Sequence, residues 1–180
     1  MQLHPLVKDR LNEITRVELT TQESAVRIIS KAGPLHNPAD RDHSLQYIVA
    51  VPLIFGRLVA GDYENAVAAD PRIDALREKM TVQEDPRYTR EYLELDKRSI
   101  ANAVQVFFRD GTSTPRVEVE YPIGHRRRRQ DGIPLLVQKF RDAMATLYSP
   151  AEVASLAETF LDLEGLQRVA VPTLMERLAR

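Results

Sequence analysis

The residues able to do chemistry gather in one run, GPLHNPADRDHSLQYIVAVPLIFGRL, over residues 33–58. It holds His36, Asn37, Asp40, Arg41, Asp42, His43 and Tyr47. An imidazole supplies acid or base near neutral pH, and a guanidinium grips a carboxylate with two parallel hydrogen bonds. The same run reads as a helix start. Asn37 suits the N-cap, Pro38 the first helical position and Asp40 the third, where a carboxylate reaches back to free backbone N–H groups. A helix N-terminus beside Arg41 and His43 would suit a carboxylate-bearing ligand. The plain alternative is a capped helix start whose Arg41 pairs with Asp40 or Asp42. A second cationic group is HRRRRQ, residues 125–130. Such a run can bind phosphate or nucleic acid. No aromatic residue interleaves it and the chain's net charge is −1, so it reads as a solvated loop or one that pairs with another domain.

None of these residues has diagnostic catalytic spacing. There is no Ser–His–Asp ordering, no glycine-rich phosphate loop and no paired-histidine metal motif. Without cysteine the chain offers no disulfide, no thiolate catalysis and no cysteine-held iron–sulfur cluster. With 180 residues, 43% hydrophobic and 28% charged, it suits one soluble domain, or one domain with an appendage. No window of about 18 apolar residues occurs, and MQLHPLVKDR lacks the apolar core of a signal peptide. A cytoplasmic protein with no nucleic-acid or membrane partner is the expectation.

The elements that position these residues follow from pattern. Residues 45–55 are apolar nearly all round, which predicts a buried helix continuing from Asn37, kinked or broken at Pro52 and stopped at Gly56. Residues 14–21, rich in Ile, Val and Thr, predict a strand. Residues 99–109 alternate, Asp110-Gly111 is a turn dipeptide, and residues 116–121 alternate back, predicting an antiparallel hairpin. Short helices are expected at 22–31 and 62–69. Another should open at Asp70-Pro71 and run on to Met80, before a short strand at 81–84. Residues 85–97 read as a loop with one helical turn. Residues 132–147 are amphipathic, Ser149-Pro150 with Glu152 opens a helix to Leu163, and 171–178 adds a last turn or two. The fold class is α+β: a small, mainly antiparallel sheet packed against helices, with C-terminal helices. Residues 1–148 would form the α+β domain and 149–180 a helical appendage.

These stretches resemble the smaller, C-terminal domain of the MmgE/PrpD family. The resemblance rests on the run above, then DYENAVAADPRIDALREKM, EDPRYT, KRSIANAVQVFFRDGT and VEVEYPIGHRRRRQDGIPLLVQKF, in one order across most of residues 27–140. Ser44 departs from it, standing where the family's dehydratases usually carry cysteine. Nothing in the chain corresponds to the large helical domain that precedes this one in the family's enzymes. The resemblance implies loss of water from the tricarboxylate 2-methylcitrate, giving 2-methyl-cis-aconitate in propionate catabolism, with no metal or other cofactor. It implies a site in the cleft between the domains, principal acid/base residues in the helical domain, and a homodimer in the complete enzyme. By motif match, Asn37, Arg41, His43 and Tyr47 carry over as substrate-binding residues. Tyr47, one turn after His43, either orients it or belongs to the core. A domain parted from its partner should also expose an apolar surface beside the central helix or the C-terminal helices. The alternatives are a stand-alone binding module without catalysis, and a fragment of another family enzyme such as a cis-aconitate decarboxylase or an epimerase.

Overall fold

The structure, a computed structural model, describes residues 1–179. Packing divides the chain into two compact units, which meet in sequence at Pro122 and Ile123.

The first unit is built on a four-stranded sheet: β1 (Ile14–Thr21), β2 (Met80–Glu84), β3 (Asn102–Phe108) and β4 (Val117–Val119), in the order β2-β1-β3-β4. β1 runs antiparallel to β3, with Val17 opposite Val106 and Leu19 opposite Val104. β3 runs antiparallel to β4, and β1 parallel to β2. The α+β class is therefore as expected, and the parallel pair makes the sheet mixed. A parallel pair needs a long crossover. Here that crossover carries α2 (Glu23–Ile29), α3 (Pro38–Asp42), α4 (Leu45–Phe55), α5 (Asn65–Ala68) and α6 (Pro71–Arg77). The Asp110-Gly111 turn forms, with Gly111 at φ 82°. The returning strand is shorter than its alternation suggests, three residues long, although Ile100 N still donates to the Glu120 carbonyl at 3.1 Å beyond its end.

The central segment departs most from expectation. It breaks at His43–Ser44 and not at Pro52. Ser44 is extended, and its hydroxyl accepts from Tyr47 N at 3.3 Å as a second N-cap. α4 then passes through Pro52 to Gly56, whose φ of 72° ends it as predicted. Proline removes one hydrogen bond from the helix. The burial of Tyr47, Ala50, Val51, Leu53 and Ile54 against Val17, Leu19, Val106 and Ile73 offsets that loss. α6 opens at Asp70-Pro71 as expected but stops before Met80, which belongs to β2. Residues 86–93, read from sequence as mostly loop, form α7 (Pro86–Leu93). Its Asp85 cap accepts from Arg87 N at 2.8 Å, and Tyr88 is fully buried.

The second unit is helical: α8 (Arg129–Met144), α9 (Pro150–Leu161), α10 (Leu163–Arg168) and α11 (Val171–Leu178). The short helix α1 (His4–Val7) belongs to the first unit. Ser149 and Glu152 cap α9 reciprocally. The helix ends at Leu161 because Asp162 caps α10, accepting from Gly165 N at 2.9 Å. Phe140 meets Phe160 edge-on at 5.5 Å. Much of the α8 stripe stays uncovered: Ile133 and Leu136 are about half exposed.

Candidate carboxylate-binding pocket

Arg41 stands in the last turn of α3 and is only 5% exposed. Its Nη1 donates to the Tyr63 carbonyl at 2.7 Å and its Nη2 to Asn65 Oδ1 at 2.8 Å. It pairs with neither acidic neighbour. Asp40 faces Lys31 at 3.7 Å, and Asp42 holds His43. The break after α3 turns Tyr47 inward, where it is 2% exposed. Its hydroxyl donates to the Asp62 carbonyl at 2.6 Å, and its ring lies 6.0 Å from that of Tyr63. Burial raises the Tyr47 phenol above its ordinary value while the charge of Arg41 opposes the rise, so Tyr47 is a protonated donor at neutral pH. Asp62 secures the turn beneath: its buried carboxylate accepts from Val59 N at 2.9 Å and from Arg57 at 3.0 Å.

Arg41 and Tyr47 line one shallow pocket of about 210 Å³. Asn65, Asp74 and Arg77 complete its polar wall, and Leu35, Ala68 and Ala69 its apolar one. Arg77, in the last turn of α6, is 9% exposed. Its Nη2 donates to the Gly33 carbonyl at 2.8 Å, and its Nη1 to the Asp74 carboxylate. Asn65, Asp74 and Arg77 had no functional reading in the sequence. They lie more than 20 residues from Arg41 and belong to a segment that reads only as short helices. The single local sign was Asp74 three residues before Arg77, an ordinary helix ion pair.

Asn37 and His43 are placed differently. Both are exposed, and neither lines the pocket. Asn37 caps α3, accepting from Asp40 N at 2.9 Å. His43 sits at the joint between α3 and α4 with Nδ1 on the Asp42 carboxylate, and its side chain is 62% exposed. It is therefore no core histidine, and the Tyr47 hydroxyl is committed to Asp62. Side-chain caps already serve the starts of α3 and α4.

Among the larger hollows of the second unit are two of about 380 and 610 Å³. The first sets Glu152 and Glu176 against Arg177, the other Glu158 and Asp162 against the same arginine. That acidic excess repels polycarboxylates, and a third hollow of about 350 Å³ sets Arg141 against Asp142 with no net charge, so the pocket of Arg41 and Arg77 is the better anion site. Among the described residues no three His, Asp or Glu side chains converge as metal ligands, and no helix is long and apolar enough to cross a membrane.

A sequence profile of the MmgE/PrpD C-terminal domain matches residues 1–164. The chain belongs to the MmgE/PrpD family. It is 50% identical to the 2-methylcitrate dehydratase of Cupriavidus necator over 182 residues, covering 99% of this chain and 38% of that relative. It is 53% identical to the 2-methylcitrate dehydratase of Escherichia coli K12 over 159 residues, 88% of this chain and 33% of the relative. It is 57% identical to the mitochondrial 2-methylcitrate dehydratase of Yarrowia lipolytica over 129 residues, 72% of this chain and 25% of the relative. The chain thus spans only 25–38% of the length of these MmgE/PrpD relatives. The profile match extends past Phe140, the last residue of the stretches that carry the resemblance, and through α9.

Proposed function

We propose that this MmgE/PrpD C-terminal domain is the smaller domain of a 2-methylcitrate dehydratase, which removes water from 2-methylcitrate to give 2-methyl-cis-aconitate in propionate catabolism. The 50–57% identity to dehydratases supports this reading. The observation that carries it is a buried arginine and a buried, protonated tyrosine lining one pocket. Dehydration of a tricarboxylate removes a C–H proton next to a carboxylate, places charge on that carboxylate and protonates the departing hydroxyl. Arg41, already fixed by Tyr63 and Asn65, meets the growing charge without reorganising. Tyr47, its one O–H proton held by the Asp62 carbonyl, lines the same pocket as a neutral contact. Asn37 shapes the start of α3, and His43, outside the pocket and held by Asp42, meets the part of the substrate that extends beyond it.

The proton-removing base and the principal acid belong, in this reading, to a helical domain that closes over the pocket. The complete enzyme is a homodimer in the cytoplasm and works without metal or other cofactor. Residues 149–180, beginning at the capped start of α9, act as a helical appendage to the α+β part of that domain. That division is one of role, since packing parts the chain at Pro122.

The test is a chimera joining this chain to the part of the Cupriavidus necator dehydratase that it does not match. Absorbance of the unsaturated product should rise on addition of 2-methylcitrate. A folded, dimeric chimera without turnover would overturn the assignment.

A further inference from the structure

The pocket holds a second guanidinium for which the proposed reaction has no stated use. Arg77 comes from α6, 36 positions after Arg41, and its side chain is 7% exposed. A buried guanidinium is costly unless its five N–H donors find acceptors. The Gly33 carbonyl and Asp74 satisfy its terminal nitrogens, yet its buried Nε has no hydrogen-bond partner. Asp74 differs from the rest of the wall. Its side chain is 67% exposed, tethered only through its helix, and free to swing into water. An exposed carboxylate on a buried guanidinium offers the same group as an incoming carboxylate would. The volume points the same way. At about 210 Å³ the pocket lies below the roughly 300–1,000 Å³ of sites that enclose a drug-sized ligand. It suits one carboxylate-bearing arm.

We propose that Arg77 is a second carboxylate-binding residue of this pocket, and that Asp74 occupies the position of the ligand's carboxylate until the ligand displaces it. This rests on the pocket's being the substrate-facing one. With Arg41 and Arg77 both lining the pocket, a polycarboxylate arm meets two fixed cations, and the Asn65 amide sits beside Arg41. Asp74 weakens binding of any single carboxylate by competing for Arg77. It thereby favours ligands that also engage Arg41.

The experiment titrates the 180-residue chain with propane-1,2,3-tricarboxylate, which has no hydroxyl to eliminate, and in parallel with inorganic phosphate. Calorimetry gives affinity, and backbone amide shifts at Asn65, Asp74 and Arg77 report location. The expected result is tricarboxylate binding at the pocket amides, weakened at least tenfold in Arg77→Gln, partly restored in Arg77→Lys and tightened severalfold in Asp74→Asn. Arg77 also fastens the loop before α3, so Arg77→Gln risks misfolding. Asp74→Asn then decides, because it removes only an exposed carboxylate. Unchanged affinity in Asp74→Asn, no binding to the wild-type chain, or tighter binding of phosphate than of tricarboxylate would each overturn the proposal. The two readings fail separately. Arg77-dependent binding beside an inactive chimera would sink the dehydratase assignment alone. An active chimera indifferent to Asp74→Asn and Arg77→Lys would sink this one alone.

Discussion

A guanidinium that is 5% exposed and bonded to a carbonyl and an amide oxygen serves the fold before it meets any ligand. Hydrogen bonds to charged groups are worth roughly 1.5–3 kcal/mol. Arg41→Ala should therefore lower unfolding free energy by about that much in urea denaturation, and unchanged stability would mean these bonds contribute nothing. The kinetic role is better read from Arg41→Lys, which keeps the charge but not the planar fork. Ser44 gives a cleaner local test. Loss of an N-cap costs about 1 kcal/mol, and a thiol is a weak acceptor, so Ser44→Ala and Ser44→Cys should both lose close to that amount. The Asn37 cap was legible in the sequence because its signal is local, an asparagine, a proline and an aspartate within four positions. The partners of Arg41 were not, because Tyr63 and Asn65 reach it only through the tertiary fold.

Among the elements, α4 shows how packing overrides a local rule. Pro52 predicted the break, but a helix buried on most sides tolerates one missing bond. The chain turns instead where Ser44 supplies a second cap. The Asp-Pro start of α7 was equally readable, yet its polar, tyrosine-bearing sequence suggested a loop; burial of Tyr88 settles it as helix. Gly56 combines two constraints. Its φ is 72°, and a Cβ there would lie 2.8 Å from the His4 ring, which itself bonds the Leu53 carbonyl at 3.0 Å. Gly56→Ala should cost more than about 1 kcal/mol and loosen α1 from α4, measurable as faster amide exchange at residues 4–8. On β4, Glu118 is held down to about 2 from 4.5 by the Tyr88 hydroxyl first, then by Arg87 and Arg116. A depressed carboxyl stabilises the fold fully above pH 4.5, and that contribution disappears as pH falls through about 2. The melting-temperature gap between wild type and Glu118→Gln should therefore shrink over that window. Asp110 is also lowered to about 2, chiefly by Thr112, so the gap and not the wild-type slope isolates Glu118. A gap that stays constant down to pH 2 would contradict the ion-pair account.

At the scale of the molecule, the first unit carries the sheet, the core and the pocket, and the second carries helices whose large apolar side chains stay in water. Ile133, Leu135, Leu136, Leu147, Leu161 and Met175 are all about half exposed or more. Light scattering should show self-association rising with concentration, reduced by Leu136→Glu; a strict monomer would count against these helices as a covered surface. The α+β class and the family were legible from one chain because its motifs fall in family order, whereas the pocket was not, since it joins residues from α3, α4, α5 and α6. The central claim is that this domain presents a fixed cation to the substrate's carboxylate. The direct measurement is kcat/KM for 2-methylcitrate in the chimera, wild type against Arg41→Lys, at a temperature where both are folded. Loss of one charge-assisted contact predicts a fall of about tenfold to a hundredfold. Equal kcat/KM in the two proteins would contradict the claim and leave Arg41 as scaffold.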